Sequence, residues 1–126
     1  MKPITSEWIA KPEGDFATAQ RELSAKVHPN YDAVCFHAQQ CAEKYLKAFL
    51  QEANISFPKT HDLVDLLASA LSIEPTWTSM TADLNALSAF AVEYRYPGDS
   101  ADLNEAREAF EKCESVRDVL RRALHL

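Results

Sequence analysis

The chain has 126 residues, two glycines and a formal net charge of −6. We expect residues 1–126 to form a single domain, since this length suffices for one hydrophobic core. Ala, Leu and Glu are the most frequent residues, which predicts an all-α fold. The acidic balance argues against nonspecific binding of nucleic acid. No apolar run approaches the roughly 20 residues of a membrane span, and the N-terminus lacks a basic segment followed by an apolar one, so we expect no membrane association and a cytoplasmic location.

The cysteines and histidines follow no metal-binding or disulfide pattern. Cys35, Cys41 and Cys113 are odd in number and lie in helical patterns, so we predict that they are reduced core residues. The histidines have no partners at metal-ligand spacing, and no Gly-rich phosphate loop or nucleophile motif occurs. We therefore expect neither a metal nor a cofactor, and nucleophilic catalysis has no support.

Two helices are predicted in the first half of the chain. Residues 14–26 carry apolar side chains at helical spacing, and Pro29 ends this first helix. Asn30 is placed to cap a longer helix over residues 31–53. The apolar residues of this second helix fill one broad core-facing arc, which comprises Tyr31, Val34, Cys35, Ala38, Cys41, Ala42, Tyr45, Leu46, Phe49 and Ala53.

A polar ridge lies outside that arc of the second helix. It spans about 80° of the helical wheel and consists of His37, Gln40, Lys44, Lys47 and Gln51. Gln40 offers a hydrogen-bond donor and an acceptor, the imidazole of His37 can exchange protons, and the two lysines suit phosphate groups. The alternative interpretation is an ordinary solvated helix face.

Three further helices are predicted at residues 61–72, 80–94 and 103–124. Thr60 is placed to cap the third helix, and Pro75 breaks the pattern after it. Residues 96–99 form a turn after the fourth helix, whose inner side includes Tyr94. Asp102 and Glu105 have the spacing of a capping box at the start of the fifth.

A second candidate site lies at the end of the fourth helix. Residues 93–97, E-Y-R-Y-P, combine a carboxylate, an arginine and two aromatic rings. Arg95 suits a phosphate through its bidentate fork, and Tyr94 or Tyr96 suits a nucleobase through stacking. A local salt bridge with aromatic packing is the alternative. His61, at the start of the third helix, is either a ligand contact or a residue that orders the turn.

Four segments together resemble the HEPN family, small helical domains named for their occurrence in higher eukaryotes and prokaryotes and for nucleotide binding. They are Asp15-Phe16, F-H-A-Q-Q-C-A-E-K-Y-L-K-A at 36–48, F-P-K-T-H-D-L at 57–63 and E-Y-R-Y-P-G at 93–98. The resemblance implies an up-and-down bundle of four or five helices that associates as a homodimer. It also implies a partner, because prokaryotic members are often encoded beside a minimal nucleotidyltransferase, as a toxin–antitoxin-like pair.

The resemblance raises the question of enzymatic activity. Many HEPN members are metal-independent ribonucleases that use an arginine followed, after four to six residues, by a histidine. Arg95 fits the arginine position, but residues 96–106 contain no histidine, so the acid–base partner is missing. Only His37 or His61, brought close by the fold, would replace it. The sequence thus favours binding over catalysis.

Three functional hypotheses remain open. The leading one is a binding site for an ATP- or GTP-type nucleotide or for RNA, formed by His37, Gln40, Lys44, Lys47, His61, Tyr94, Arg95 and Tyr96. The second is a protein-interaction subunit without a ligand of its own, in which Phe36 and Leu50, apolar residues outside the core arc, lie in an interface. The third is a ribonuclease in which a histidine reaches Arg95.

Overall fold

The computed structural model describes all residues, 1–126, and is entirely helical. The five α-helices are α1 (Pro3–Ser24), α2 (Tyr31–Glu52), α3 (Leu63–Ala70), α4 (Thr81–Glu93) and α5 (Leu103–Ala123), and a short 3-10 helix spans Pro75–Met80. The prediction of an all-α helical bundle is confirmed. None of the helices combines the length and the apolar composition that crossing a bilayer requires.

Side-chain caps start α2 and α5 where the sequence predicts. The Asn30 side chain accepts a hydrogen bond from the Ala33 amide at 3.0 Å. The capping box of α5 is complete, since Asp102 accepts from the Glu105 amide at 2.8 Å and Glu105 accepts from the Asp102 amide at 3.1 Å. Each cap satisfies amides that the helix leaves free, and a cap of this kind contributes about 1 kcal/mol.

The third helix begins two residues later than predicted. Its cap is Asp62, whose side chain accepts from the Val64 amide at 2.9 Å. Thr60, the predicted cap, accepts from the Asp62 amide at 3.0 Å and orders the approach to the helix instead. As a result His61 lies in the loop before α3, where its side chain is free to turn towards α2.

The first helix begins at Pro3, eleven residues before the predicted start at 14. The C-terminal end of α2 supports this extension, because Glu52 accepts from the Lys2 amide at 2.9 Å and from the Thr5 hydroxyl at 3.0 Å. A carboxylate at a helix N-terminus is also favoured by the helix dipole. The long-range contact stabilises a helix that contains Pro12, which local rules disfavour inside a helix.

The core lies between α2 and the four helices around it. The three cysteines are buried and free, as predicted, and Trp77 of the 3-10 helix packs on Phe49 with ring centroids 4.6 Å apart. The expectation that Leu50 lies in an interface is wrong. Leu50 is fully buried, because the loop after α2 folds back over it and its carbonyl accepts from the Ile55 amide at 2.9 Å.

A polar cluster ties α1, α2 and α5 together. Arg117 donates two hydrogen bonds to Glu13 at 2.7 and 2.8 Å, and its guanidinium lies 4.1 Å from the centre of the Phe16 ring. Tyr45 also donates to Glu13, and Arg121 donates to the Tyr45 hydroxyl at 3.1 Å. The hydrogen bonds from Arg117 are the largest cause that lowers the pKa of Glu13, from 4.5 to about 2.

We expect Glu13→Gln to lower the free energy of unfolding at pH 7 by about 1–2 kcal/mol, allowing for partial exposure of the site. The native carboxylate stays charged down to about pH 2, whereas the unfolded chain takes up its proton near pH 4.5. The contribution of the Glu13 carboxylate to the free energy of unfolding is therefore complete above pH 4.5 and is lost as the pH falls towards 2. Urea unfolding measured across this range should show that the difference in free energy of unfolding between wild type and variant becomes smaller as the pH falls.

The matched control is Glu111→Gln, which changes an exposed glutamate on α5 that has no ion-pair partner. This control should unfold like the wild type at every pH. If the difference in free energy of unfolding between wild type and Glu13→Gln stayed constant from about pH 5 to about 2, the stabilising role of the ionised Glu13 would be contradicted.

Candidate functional site

The predicted polar ridge divides between two neighbouring elements. His37 and Lys44 face α1, where the buried carboxylate of Asp15 lies 2.8 Å from the His37 Nδ1 and accepts from the Lys44 Nζ at 2.7 Å. Asp15 thus neutralises charge on this side of α2. His37 and Lys44 are half-buried, both contact Asp15, and neither lines the cleft on the other side of α2.

A buried carboxylate organises that other side of α2. Glu43 is 4% exposed and lies within hydrogen-bonding distance of three groups: Gln39 Nε2 at 3.0 Å, His61 Nδ1 at 3.1 Å and Lys47 Nζ at 3.2 Å. Gln40 joins this Glu43 network by donating to the Gln39 side-chain oxygen at 2.8 Å. Gln39 also donates to the backbone oxygen of His61 at 3.2 Å. Two contacts of His61, one through its ring and one through its backbone, therefore hold the loop before α3 against α2.

Sequence reasoning missed Gln39 and Glu43. At about 100° per residue, both project between the core arc and the polar ridge of α2. They are four residues apart and therefore occupy neighbouring turns of one face. Two polar residues at the border of the core arc are the signal that would have identified them, because a helix or loop that covers this border must satisfy their side chains.

A cleft of about 500 Å³ opens above the Glu43 network, between α2, the loop before α3 and the end of α4. We refer to it as the α2–α4 cleft. Its lining residues are Phe36, Gln39, Gln40, His61, Asp62, Ser88, Ala91, Val92 and Arg95. Three of the predicted site residues, Gln40, His61 and Arg95, therefore meet at one place although they are far apart in the sequence.

Arg95 is the cation of this cleft that has no partner within the chain. Its guanidinium makes no hydrogen bond and no ion pair, so the local salt bridge considered above does not form. Arg117 and Arg121 are, by contrast, held by Glu13. The His61 side chain is 86% exposed, and its Nε2 atom has no partner within the chain. The cleft thus presents one free guanidinium and one free ring nitrogen, together with the carboxylate of Asp62, one oxygen of which caps α3.

The two tyrosines beside Arg95 differ in environment. Tyr94 is buried against the core as predicted, its ring stacks on Phe90 with centroids 6.3 Å apart, and its hydroxyl donates to Glu105. Tyr96 is exposed in the turn after α4 and does not line the α2–α4 cleft. Phe36, 41% exposed, is the aromatic ring that lines it.

Comparison with known proteins identifies the fold family. A family model of the HEPN domain matches residues 5–123, which is most of the chain. The chain belongs to the HEPN domain family. The predicted resemblance is therefore confirmed, and so is the HEPN-like fold.

Two solved structures share the fold of this HEPN chain. ST0689, an archaeal HEPN homologue, is 24% identical, and the similarity covers 98% of each chain with a TM-score of 0.76. TT1696 from Thermus thermophilus is 21% identical, with 94% of this chain and 96% of that chain covered and a TM-score of 0.79. No curated protein matches the chain. At these identities the structural similarity concerns the fold alone.

Proposed function

We propose that this HEPN-domain chain binds a nucleotide in the α2–α4 cleft, with Arg95 on the phosphate. The observation that carries the proposal is the unpaired guanidinium of Arg95 at the cleft wall, whereas Lys44, Lys47 and Arg117 are paired with carboxylates. The cleft volume of about 500 Å³ lies within the ordinary range for small-molecule sites.

The other lining groups suit the remaining parts of a nucleotide. A guanidinium offers a phosphate two parallel hydrogen bonds. Gln40 uses one amide hydrogen on Gln39 and keeps a second hydrogen and its oxygen for a ligand. The exposed ring of Phe36 suits stacking on a base. In this proposal Lys47 acts on the ligand only through Glu43, and Tyr96 and the buried Tyr94 make no contact with it.

Replacing Arg95 should weaken nucleotide binding without destabilising the fold. We expect Arg95→Gln to lower affinity roughly 10- to 100-fold, which corresponds to the loss of about 1.5–3 kcal/mol from charged hydrogen bonds. The melting temperature should not change, since the guanidinium has no intrachain partner. Calorimetric titration with AMP, GMP, ATP and GTP measures the affinities.

The control for this experiment is Arg107→Gln, since Arg107 is an exposed arginine of α5 outside the cleft. This variant has the same change in net charge and should bind like the wild type. If both variants bound nucleotides equally more weakly, the loss would come from the change in net charge and not from a contact of Arg95. A wild type that binds none of the four nucleotides would refute the proposal.

Ribonuclease activity is a second candidate because His61 lines the same cleft as Arg95. The chain lacks a histidine after Arg95, but the loop before α3 supplies one through space. A ring nitrogen of His61 could accept the proton of a ribose 2′-hydroxyl while Arg95 stabilises the charge that develops on the phosphate. We rank this activity below binding, because residues 96–106 lack the histidine that follows the arginine in the family's ribonucleases.

If the chain cleaves RNA, His61→Ala should abolish the activity, since general acid–base catalysis typically contributes about 10²- to 10⁴-fold in rate. His37→Ala is the matched control, because His37 makes the same kind of contact to a carboxylate but lies outside the cleft. Gel analysis of single-stranded and structured RNA provides the measurement. Absence of cleavage by the wild type, or equal rates in the two variants, would eliminate this candidate.

Exposed apolar side chains near the cleft suggest a surface for a protein partner. Phe36, Val92 and Tyr96 expose 41%, 62% and 67% of their surface, and two of them line the α2–α4 cleft. Exposed apolar groups beside a cleft are typical of an interaction surface. We propose that a second copy packs on Val92 and Tyr96 in a two-fold homodimer and leaves the ring of Phe36 to the nucleotide. A minimal nucleotidyltransferase, in a toxin–antitoxin-like pair, is the alternative occupant that the family resemblance suggests.

Sedimentation velocity tests the homodimer. The wild type should sediment as a dimer, and Val92→Asp should shift it to monomer, because an unpaired carboxylate in an interface costs several kcal/mol. Ile73→Asp, which alters an exposed residue between α3 and the 3-10 helix, outside the cleft, should leave the dimer intact. A monomeric wild type would refute the homodimer and leave the surface to a different partner.

A further inference from the structure

Glu43 lies directly beneath the α2–α4 cleft and is surrounded by hydrogen-bond donors. Gln39, Lys47 and His61 approach its two carboxylate oxygens at 3.0–3.3 Å. An ionised carboxylate only accepts hydrogen bonds, so each of these neighbours must present a hydrogen to it. Glu43 therefore sets the direction of every hydrogen bond in the network.

This direction determines which nitrogen of His61 carries the proton in the neutral ring. Nδ1 must hold the hydrogen that faces Glu43, and the lone pair then belongs to Nε2. Because the ring is 86% exposed and Nε2 has no intrachain partner, that lone pair is available in the cleft. The same argument turns the Gln39 oxygen towards Gln40, whose own amide group donates to it.

We propose that Glu43 is a positioning residue that holds His61 with its hydrogen on Nδ1, so that Nε2 accepts a hydrogen bond from a ribose hydroxyl of the bound nucleotide. This inference rests on the proposed nucleotide site. A phosphate oxygen only accepts hydrogen bonds, so it suits Arg95 and not an unprotonated Nε2. The ribose hydroxyl next to that phosphate is a donor, and it is the group that distinguishes a ribonucleotide from a deoxyribonucleotide.

The chain contains its own reference for this effect. His37 Nδ1 lies 2.8 Å from the buried carboxylate of Asp15, which is the same arrangement on the α1 side of α2. His37 does not line the α2–α4 cleft. A change at Glu43 should therefore alter the ring of His61 and leave that of His37 unchanged.

The first test measures the tautomers of both rings by long-range ¹H–¹⁵N NMR at about pH 8.5, above the ordinary range of histidine titration. We expect His61 and His37 of the wild type to carry the hydrogen on Nδ1. In Glu43→Gln, whose side chain both donates and accepts, His61 should lose this preference and His37 should keep it. A wild-type His61 with its hydrogen on Nε2, or an unchanged His61 in the variant, would overturn the proposal.

The wild-type spectrum decides the matter even if Glu43→Gln fails to fold, and it requires no ligand. The tautomer result is therefore independent of whether the proposed nucleotide site is correct. A change at His37 as well as at His61 in Glu43→Gln would indicate a general loss of structure, and the wild-type tautomer of His61 then supports or overturns the proposal.

The second test compares adenosine 3′-monophosphate with its 2′-deoxy analogue by calorimetry. The wild type should bind the ribonucleotide about 5- to 10-fold more tightly, as expected for one hydrogen bond of about 1 kcal/mol. Glu43→Gln should reduce this ratio towards one while keeping its affinity for inorganic phosphate, which Arg95 binds. Equal wild-type affinities for the two nucleotides would overturn the ribose assignment, and absence of binding to both would overturn it together with the proposed function.

Discussion

The pairing of buried and half-buried carboxylates with cations along α2 is the constraint on which the rest of the structure depends. Glu13, Asp15 and Glu43 each contact two basic side chains, at least one of them from another segment of the chain. A buried carboxylate that lost its partners would destabilise the fold by several kcal/mol. These contacts therefore fix how α1, α5 and the loop before α3 sit against α2, while the apolar arc of α2 supplies the hydrophobic burial.

The same pairing explains the character of the α2–α4 cleft. Lysines that look suited to phosphate in the sequence are already held by Asp15 and Glu43. Arg95 lies beyond the reach of these carboxylates, after the last turn of α4, and its guanidinium has no hydrogen-bond partner within the chain. Electrostatic neutrality in the interior thus leaves one guanidinium at the cleft, beside a histidine that a buried glutamate orients.

Prediction from sequence succeeded where local interactions decide the structure. The start of α2 at Tyr31 follows from the Asn30 cap, and the start of α5 follows from the capping box of Asp102 and Glu105. It failed where a distant residue overrides local preference. Glu52 supports the N-terminal half of α1 from 47 residues away, and the loop after α2 buries Leu50, which its position on the helical wheel alone assigned to the surface.

The sequence by itself determined the helical class, the core face of α2 and the family resemblance, and it placed Gln40, His61 and Arg95 among the eight predicted site residues. Only the tertiary structure decided that these three line one cleft, while Lys44 turns to Asp15 on the opposite side. The physical reason is that periodicity identifies which side chains share a face of one helix, whereas ion pairing and burial depend on which other segment covers that face.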